Sequence, residues 1–183
     1  MTEVCLNMST HPHNNSRLSL GQIALFGMLG AMTFGAKMVM AWLPNIEPVS
    51  LLVMVYAVVF GRKSLYPIYV YVGLELLCYG LGTWNIMYLY VWAVLALCAW
   101  LLRKMEHPLG WALLSGVFGL LFGLLCAPVD MCIGGIAYAM TKWASGIMFD
   151  INHCAGNFVM ALILFLPLRR LAARLYAPQA KEG

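Results

Sequence analysis

The sequence predicts an all-α integral membrane protein with six transmembrane helices and both termini cytoplasmic. Three observations carry that prediction. Of 183 residues, 63% are apolar and only 10% are charged, against roughly 45–50% and about 25% in a soluble domain. The mean hydropathy of +0.83 excludes a disordered chain, which needs low hydrophobicity and high charge. The basic residues are also bunched between apolar runs rather than spread evenly. A span takes about 20 apolar residues, so the length allows five or six spans with short loops and leaves no room for a soluble catalytic domain.

Residues 1–17 are mostly polar and precede an apolar run as long as a span, which reads as a cytosolic tail and a retained helix rather than a cleaved leader. The transmembrane domain then covers 18–176. Helix 1 runs over about 18–42 and stops at Pro44-Asn45-Ile46-Glu47-Pro48, where two prolines enforce an extended turn. Helix 2, about 49–60, is short. Such a helix is tolerated where protein or a cavity, rather than lipid, satisfies its backbone. Helix 3 spans about 65–81, helix 4 about 86–102, helix 5 about 109–127 and helix 6 about 150–176, before a tail at 177–183.

The stretch 131–149 is apolar but holds Gly134-Gly135, Lys142, Ser145 and Gly146. Charge asymmetry decides how to read it, because cytoplasmic loops accumulate Lys and Arg. Six spans put Arg17, Arg62, Lys63, Arg103, Lys104, Arg169, Arg170, Arg174 and Lys181 on one side, leaving only Lys37 and Lys142. A seventh span would spoil that bias. Residues 128–149 are therefore expected to form an outer loop, with room for a short helix across the top.

An ionisable group within a membrane costs at least ~2.5–3.5 kcal/mol on insertion scales and usually faces a cavity or a partner. Lys37, Glu47, Asp130, Lys142, Asp150 and His153 fall in the outer half or outer loops, with Glu75 nearer mid-span. A channel or proton relay strings such groups through the full thickness, whereas a pocket gathers them on one side. On helix 6, Asp150, His153, Cys154 and Asn157 share one face; on helix 3, Tyr71, Glu75, Tyr79 and Gly82 do; Trp84, Tyr88 and Trp92 repeat every four residues. Aromatic walls with a few convergent charges describe a small-molecule site. Competing readings stay open at this level. Interfacial belts account for Trp42, Trp84, Tyr88 and Trp111. Lys142–Asp150 and Lys37–Glu47 also suit structural ion pairs, and His153 suits helix packing.

On helix 1, Gly27, Ala31 and Gly35 recur every four residues, a small-residue stripe that admits a second helix at close range. Lys37 lies about 200° around the helix from Gly35. The six cysteines show no C-x-x-C spacing; Cys126 and Cys132 flank one expected loop, either as free thiols or as a bridge. No metalloprotease, hydrolase or phosphate-loop motif is present, and Gly61-Arg62-Lys63-Ser64 is a cytosolic anchor. No metal site and no cofactor is expected. The chain is too short for the inverted repeats of secondary transporters, so any transport draws its energy from other subunits.

These features resemble one family. Size, six spans, cytosolic termini, a helix 1 rich in small residues and a loop before a short helix 2 are similar to the substrate-binding S components of energy-coupling factor (ECF) transporters. PNIEPVSLLVMVYAVVFG (44–61) and GIMFDINHCAGNF (146–158) look like stretches of bacterial members. The resemblance implies a transport receptor, not an enzyme, in the bacterial plasma membrane. It would capture a vitamin-like micronutrient in an outward-facing pocket and dock on a transmembrane coupling subunit served by two cytosolic ATPases, with no nucleic-acid partner. The family docks through two alanines at A-x-x-x-A spacing, matched here by Gly27, Ala31 and Gly35. On this reading Asn45 and Glu47 sit in a lid; Lys37, Glu75, Tyr79, Lys142, Asp150, His153 and Asn157 contact or frame the ligand; and Trp84, Tyr88 and Trp92 stack on a planar ring. The alternatives are a haem or cobalamin binder using His153 or Cys154, a membrane enzyme at Asp150, His153 and Cys154, and a structural membrane partner.

Overall fold

The computed structural model describes residues 18–43 and 46–180. They are helical almost throughout: α1 Leu20–Val39, α2 Val49–Phe60, a 3₁₀ turn at Gly61–Ser64, α3 Leu65–Tyr79, α4 Thr83–Leu101, α5 Pro108–Leu120 and α6 Phe122–Ala180. Four stretches, 20–39, 49–79, 83–101 and 108–177, are long and apolar enough to cross a membrane. Local chemistry sets several ends. Ser19 accepts a hydrogen bond from the Gln22 amide, Asn85 accepts one from the Gly82 amide, and Pro108 occupies the first turn of α5, where its missing N–H costs nothing.

The long α6 is two helical arms joined at Gly135, whose φ of 80° and ψ of 177° depart from helix. Leu121 interrupts only lightly, because its amide still bonds to the Val117 carbonyl and its carbonyl to the Leu125 amide. One arm thus rises through 108–134 and the other descends through 136–180. Their pairing fixes the antiparallel sense: Trp111 stacks on Phe165 with ring centroids 4.2 Å apart, Gly116 faces Phe158, and Gly119 faces His153 and Cys154. The Gly123 amide donates to Asp150 Oδ1 at 3.1 Å, and Lys142 bonds Asp130 across the turn at 2.6 Å. The expected outer loop at 128–149 is corrected accordingly. Apolar surroundings offer a loop backbone no partners, whereas a helical hairpin satisfies its own, and the reversal needs a single positive-φ residue supplied by Gly135.

The remaining helices alternate in direction. Phe26 of α1 lies level with Phe60 and Tyr66 at one end, while Lys37 reaches Glu75 at the other. Hence α1 and α3 run parallel and pack directly on each other, with α2 antiparallel to both. Tyr71 meets Tyr88 and Trp92, and Tyr90 reaches the Leu125 carbonyl, which sets α4 antiparallel to both α3 and the rising arm. Tyr176 returns to Phe26 and Phe60, so α1 begins and α6 ends on the same side as Arg62, Lys63 and the Trp100–Arg103 stack. We call this the basic end and its opposite the Lys37 end.

The short α2 is the hub, with Val49, Val53, Met54, Val55 and Ala57 buried. Its burial within protein matches the reason such a helix is tolerated. Trp111 is equally buried on Phe165 rather than facing an interfacial belt. At Gly119 the arms approach so closely that a Cβ would lie 2.8 Å from the His153 carbonyl carbon, whereas one at Gly27 would meet nothing within 4 Å. Gly119→Ala should therefore cost about 1–3 kcal/mol and lower the thermal midpoint of the detergent-solubilised protein. Gly27→Ala should leave it unchanged or raise it, since alanine favours the helix by up to ~1 kcal/mol. Equal shifts for the two variants would contradict the hairpin packing.

Candidate functional site

The Lys37 end gathers charge from three elements. Lys37 Nζ lies 2.8 Å from Glu75 Oε2; the Glu75 side chain is 2% exposed and that of Lys37 20%. The ammonium also sits 5.4 Å from the ring centre of Tyr88, 5.9 Å from Tyr79 and 6.0 Å from Tyr71, within cation–π range. Among the described residues Glu75 Oε1 has no hydrogen-bond partner. Beside this group opens a cavity of about 340 Å³ lined by Lys37, Met40, Leu43, Ile46, Glu47 and Tyr88, within the usual size of small-molecule sites. Its wall is the segment between α1 and α2, seated against α6 where Ile46 meets Gly156.

Two other cavities are larger or comparable, but they lie at the basic end and along α3 and α4, lined mainly by apolar residues with Arg62. They contain none of the expected ligand-binding residues. Of the three, the Lys37 cavity is the one whose wall carries both an ammonium and a carboxylate, Lys37 and Glu47, beside an aromatic face, Tyr88.

Several expected site residues are placed elsewhere. Lys37 pairs with Glu75 rather than Glu47, and Lys142 with Asp130 rather than Asp150. Lys142 thus closes the hairpin tip, far along the arm from the Lys37 cluster. Asn157 is a structural pin: its amide donates to Ser50 Oγ at 3.0 Å and to the Ser115 carbonyl at 3.3 Å, joining α2, α5 and α6. Trp84 folds over Gly82 and is 42% exposed, clear of the cavity. Tyr79 is half exposed, with its hydroxyl on Met38 Sδ, and contributes only its ring to Lys37. Asn45 lies outside the described residues.

A second buried polar group sits deeper. Trp92 is enclosed by Tyr71, Tyr88, Phe118 and Phe122, and His153 packs edge-on against Phe122 with ring centroids 5.0 Å apart. Trp92 Nε1, His153 Nε2 and Asp150 Oδ2 have no hydrogen-bond partner among the described residues. An aromatic wall therefore continues from Tyr88 inward to His153. Among the described residues, no three of His, Cys, Asp or Glu come together as a metal site, and Cys126 and Cys132 are free thiols.

The residue least emphasised by pattern is Tyr71, one turn before Glu75, which is buried beneath Lys37. Its signal lay in the Tyr71–Glu75–Tyr79 stripe. Comparison with protein-family models, with curated proteins and with solved structures finds no match, so the site rests on its own geometry.

Glu47 lies between α1 and α2, outside the spans. Burial raises its carboxyl above the ordinary value of 4.5, Lys37 pulls it down and Glu75 pushes it up again. A folded-state pKa above the unfolded value means the ionised form opposes folding. Stability from this group is fully present below about 4.5 and is lost as pH rises through the elevated value. Glu47→Gln should therefore raise the melting temperature at pH 7.5 by about 1–3 °C, and its advantage should shrink on acidification towards pH 4.5. Parallel melting curves for variant and wild type across that range would refute the assignment.

Proposed function

We propose that this chain is the substrate-capturing subunit of an ECF-type importer in the bacterial plasma membrane. On this reading it crosses the membrane six times, keeps both termini in the cytoplasm and takes up a vitamin-like micronutrient from outside. The observation that carries the proposal is the gathering of Lys37, Glu47, Glu75 and Tyr88 about one cavity at the end opposite the basic residues. A conduction path would need polar groups at the basic half as well, and there α1, α2 and α6 meet through Phe26, Phe60 and Tyr176. The direction of the bundle follows from the excess of Lys and Arg at the basic end.

Support for a docking partner comes from α1. Gly30 is packed against Val70 and Pro67, but a Cβ at Gly27 or Gly35 would meet nothing within 4 Å, and Ala31 is exposed beside Met28 and Met32. The small-residue stripe thus faces outward while Lys37 turns inward. That is the disposition a coupling subunit would use: a smooth helix face outside, a ligand chamber inside. The cytosolic ATPases would act through that subunit. No structural observation favours the haem or cobalamin alternative, the enzyme or the purely structural partner over this reading.

Ala31→Trp is the direct test. The variant should fold and retain ligand, but lose co-purification with the coupling subunit and lose uptake by at least about tenfold. Unimpaired uptake would show the docking face to be wrong. Mass spectrometry of small molecules released from the purified chain, prepared without nucleotide, should find a bound micronutrient.

A further inference from the structure

Both lysines at the Lys37 end are committed. Lys37 is ion-paired with Glu75 and Lys142 with Asp130. Two carboxylates of the same end, Glu47 and Asp150, have no lysine or arginine within ion-pair distance among the described residues. Asp150 is partly answered by the Gly123 amide. Among the described residues Glu47 has no such donor, and it lines the cavity directly. Around the cavity one ammonium, Lys37, therefore stands against two carboxylates, Glu75 and Glu47, and the unpaired one, Glu47, borders the open space.

The other wall is aromatic. Tyr71, Tyr79 and Tyr88 already hold one ammonium, that of Lys37, within 6.0 Å of their ring centres. Their electron-rich faces suit a second cation and repel an anion. An anionic ligand would face Glu47 across the cavity and would compete with Glu75 for Lys37, the ammonium already paired there. A cation meets an unpaired carboxylate instead.

We propose, resting on the receptor reading above, that the cavity between Lys37, Glu47 and Tyr88 selects a ligand bearing a positive charge beside a flat ring. Glu47 is the counter-ion, Tyr88 the stacking surface, and Lys37 fixes Glu75 so that the cation is directed to Glu47. The reading narrows the ligand to amines and quaternary or ring-nitrogen cations, and excludes simple carboxylates and phosphates.

Matched aromatic probes of opposite charge test this on the full-length protein in detergent, by isothermal titration with benzyltrimethylammonium and with phenylacetate. Benzyltrimethylammonium should saturate one site at least about tenfold more tightly than phenylacetate, a ratio of the order expected for one charge-assisted contact. Glu47→Gln should erase that preference and Glu47→Asp should keep most of it. Equal or tighter binding of phenylacetate would overturn the charge assignment while leaving the receptor reading intact. Saturation by neither probe would overturn the cation assignment and leave the receptor reading to the uptake and mass-spectrometric tests. A preference that survives in Glu47→Gln would overturn the role of Glu47. The wild-type comparison decides the sign of the charge even if the glutamine variant fails to fold.

Discussion

The Lys37–Glu75 ion pair is the constraint on which the Lys37 end depends. Breaking such a buried pair by removing one partner costs about 3–5 kcal/mol, because the survivor is left charged in an apolar setting. The pair ties α1 to α3 at the Lys37 end and holds the ammonium over three tyrosine rings. With α1 fixed in that rotation, its opposite face is turned outward, and the small-residue stripe at Gly27, Ala31 and Gly35 faces away from the bundle. One electrostatic contact therefore orients two surfaces, the chamber within and the bare helix face without.

The second constraint is that lipid cannot satisfy polar groups, so they are turned towards protein. Asn157 illustrates it. Its amide finds Ser50 and the Ser115 carbonyl, and thereby locks α2 between α5 and α6. Thr33 and Tyr56 do the same between α1 and α2, at 2.9 Å, with the Leu29 carbonyl as a shared acceptor. The cavity-lining segment at 46–48 is thus anchored by neighbours that are themselves pinned. A chamber assembled on such a frame can present preoriented charge to a ligand with little reordering.

Helix existence was legible because hydrophobic runs of span length leave few choices. Helix 2 ends at the residues expected, Val49 and Phe60, since proline precedes it and glycine follows it. The hairpin at Gly135 was harder to read. Glycine pairs and polar residues mark loops and tight reversals equally, and only the meeting of Asp130 with Lys142 across the turn separates the two. Partner choice was the weakest inference throughout. Helical periodicity places Asp150 and Asn157 on one face, but it cannot tell which neighbouring element supplies the opposing group. Lys37 could reach either Glu47 or Glu75 by sequence; the parallel packing of α1 and α3 selects Glu75.

That selection carries the functional consequence. Had Lys37 paired with Glu47, the cavity rim would be neutral and a buried Glu75 would be left unanswered beneath the tyrosines. Pairing with Glu75 neutralises the more deeply buried carboxylate and leaves Glu47 half-buried on the cavity wall, within reach of a ligand. Desolvating Glu47 raises its pKa, so a cation entering the chamber would both gain a counter-ion and relieve that penalty. Binding and local stability are then coupled through one carboxylate: the group that weakens the empty chamber at neutral pH is the group that would strengthen the occupied one.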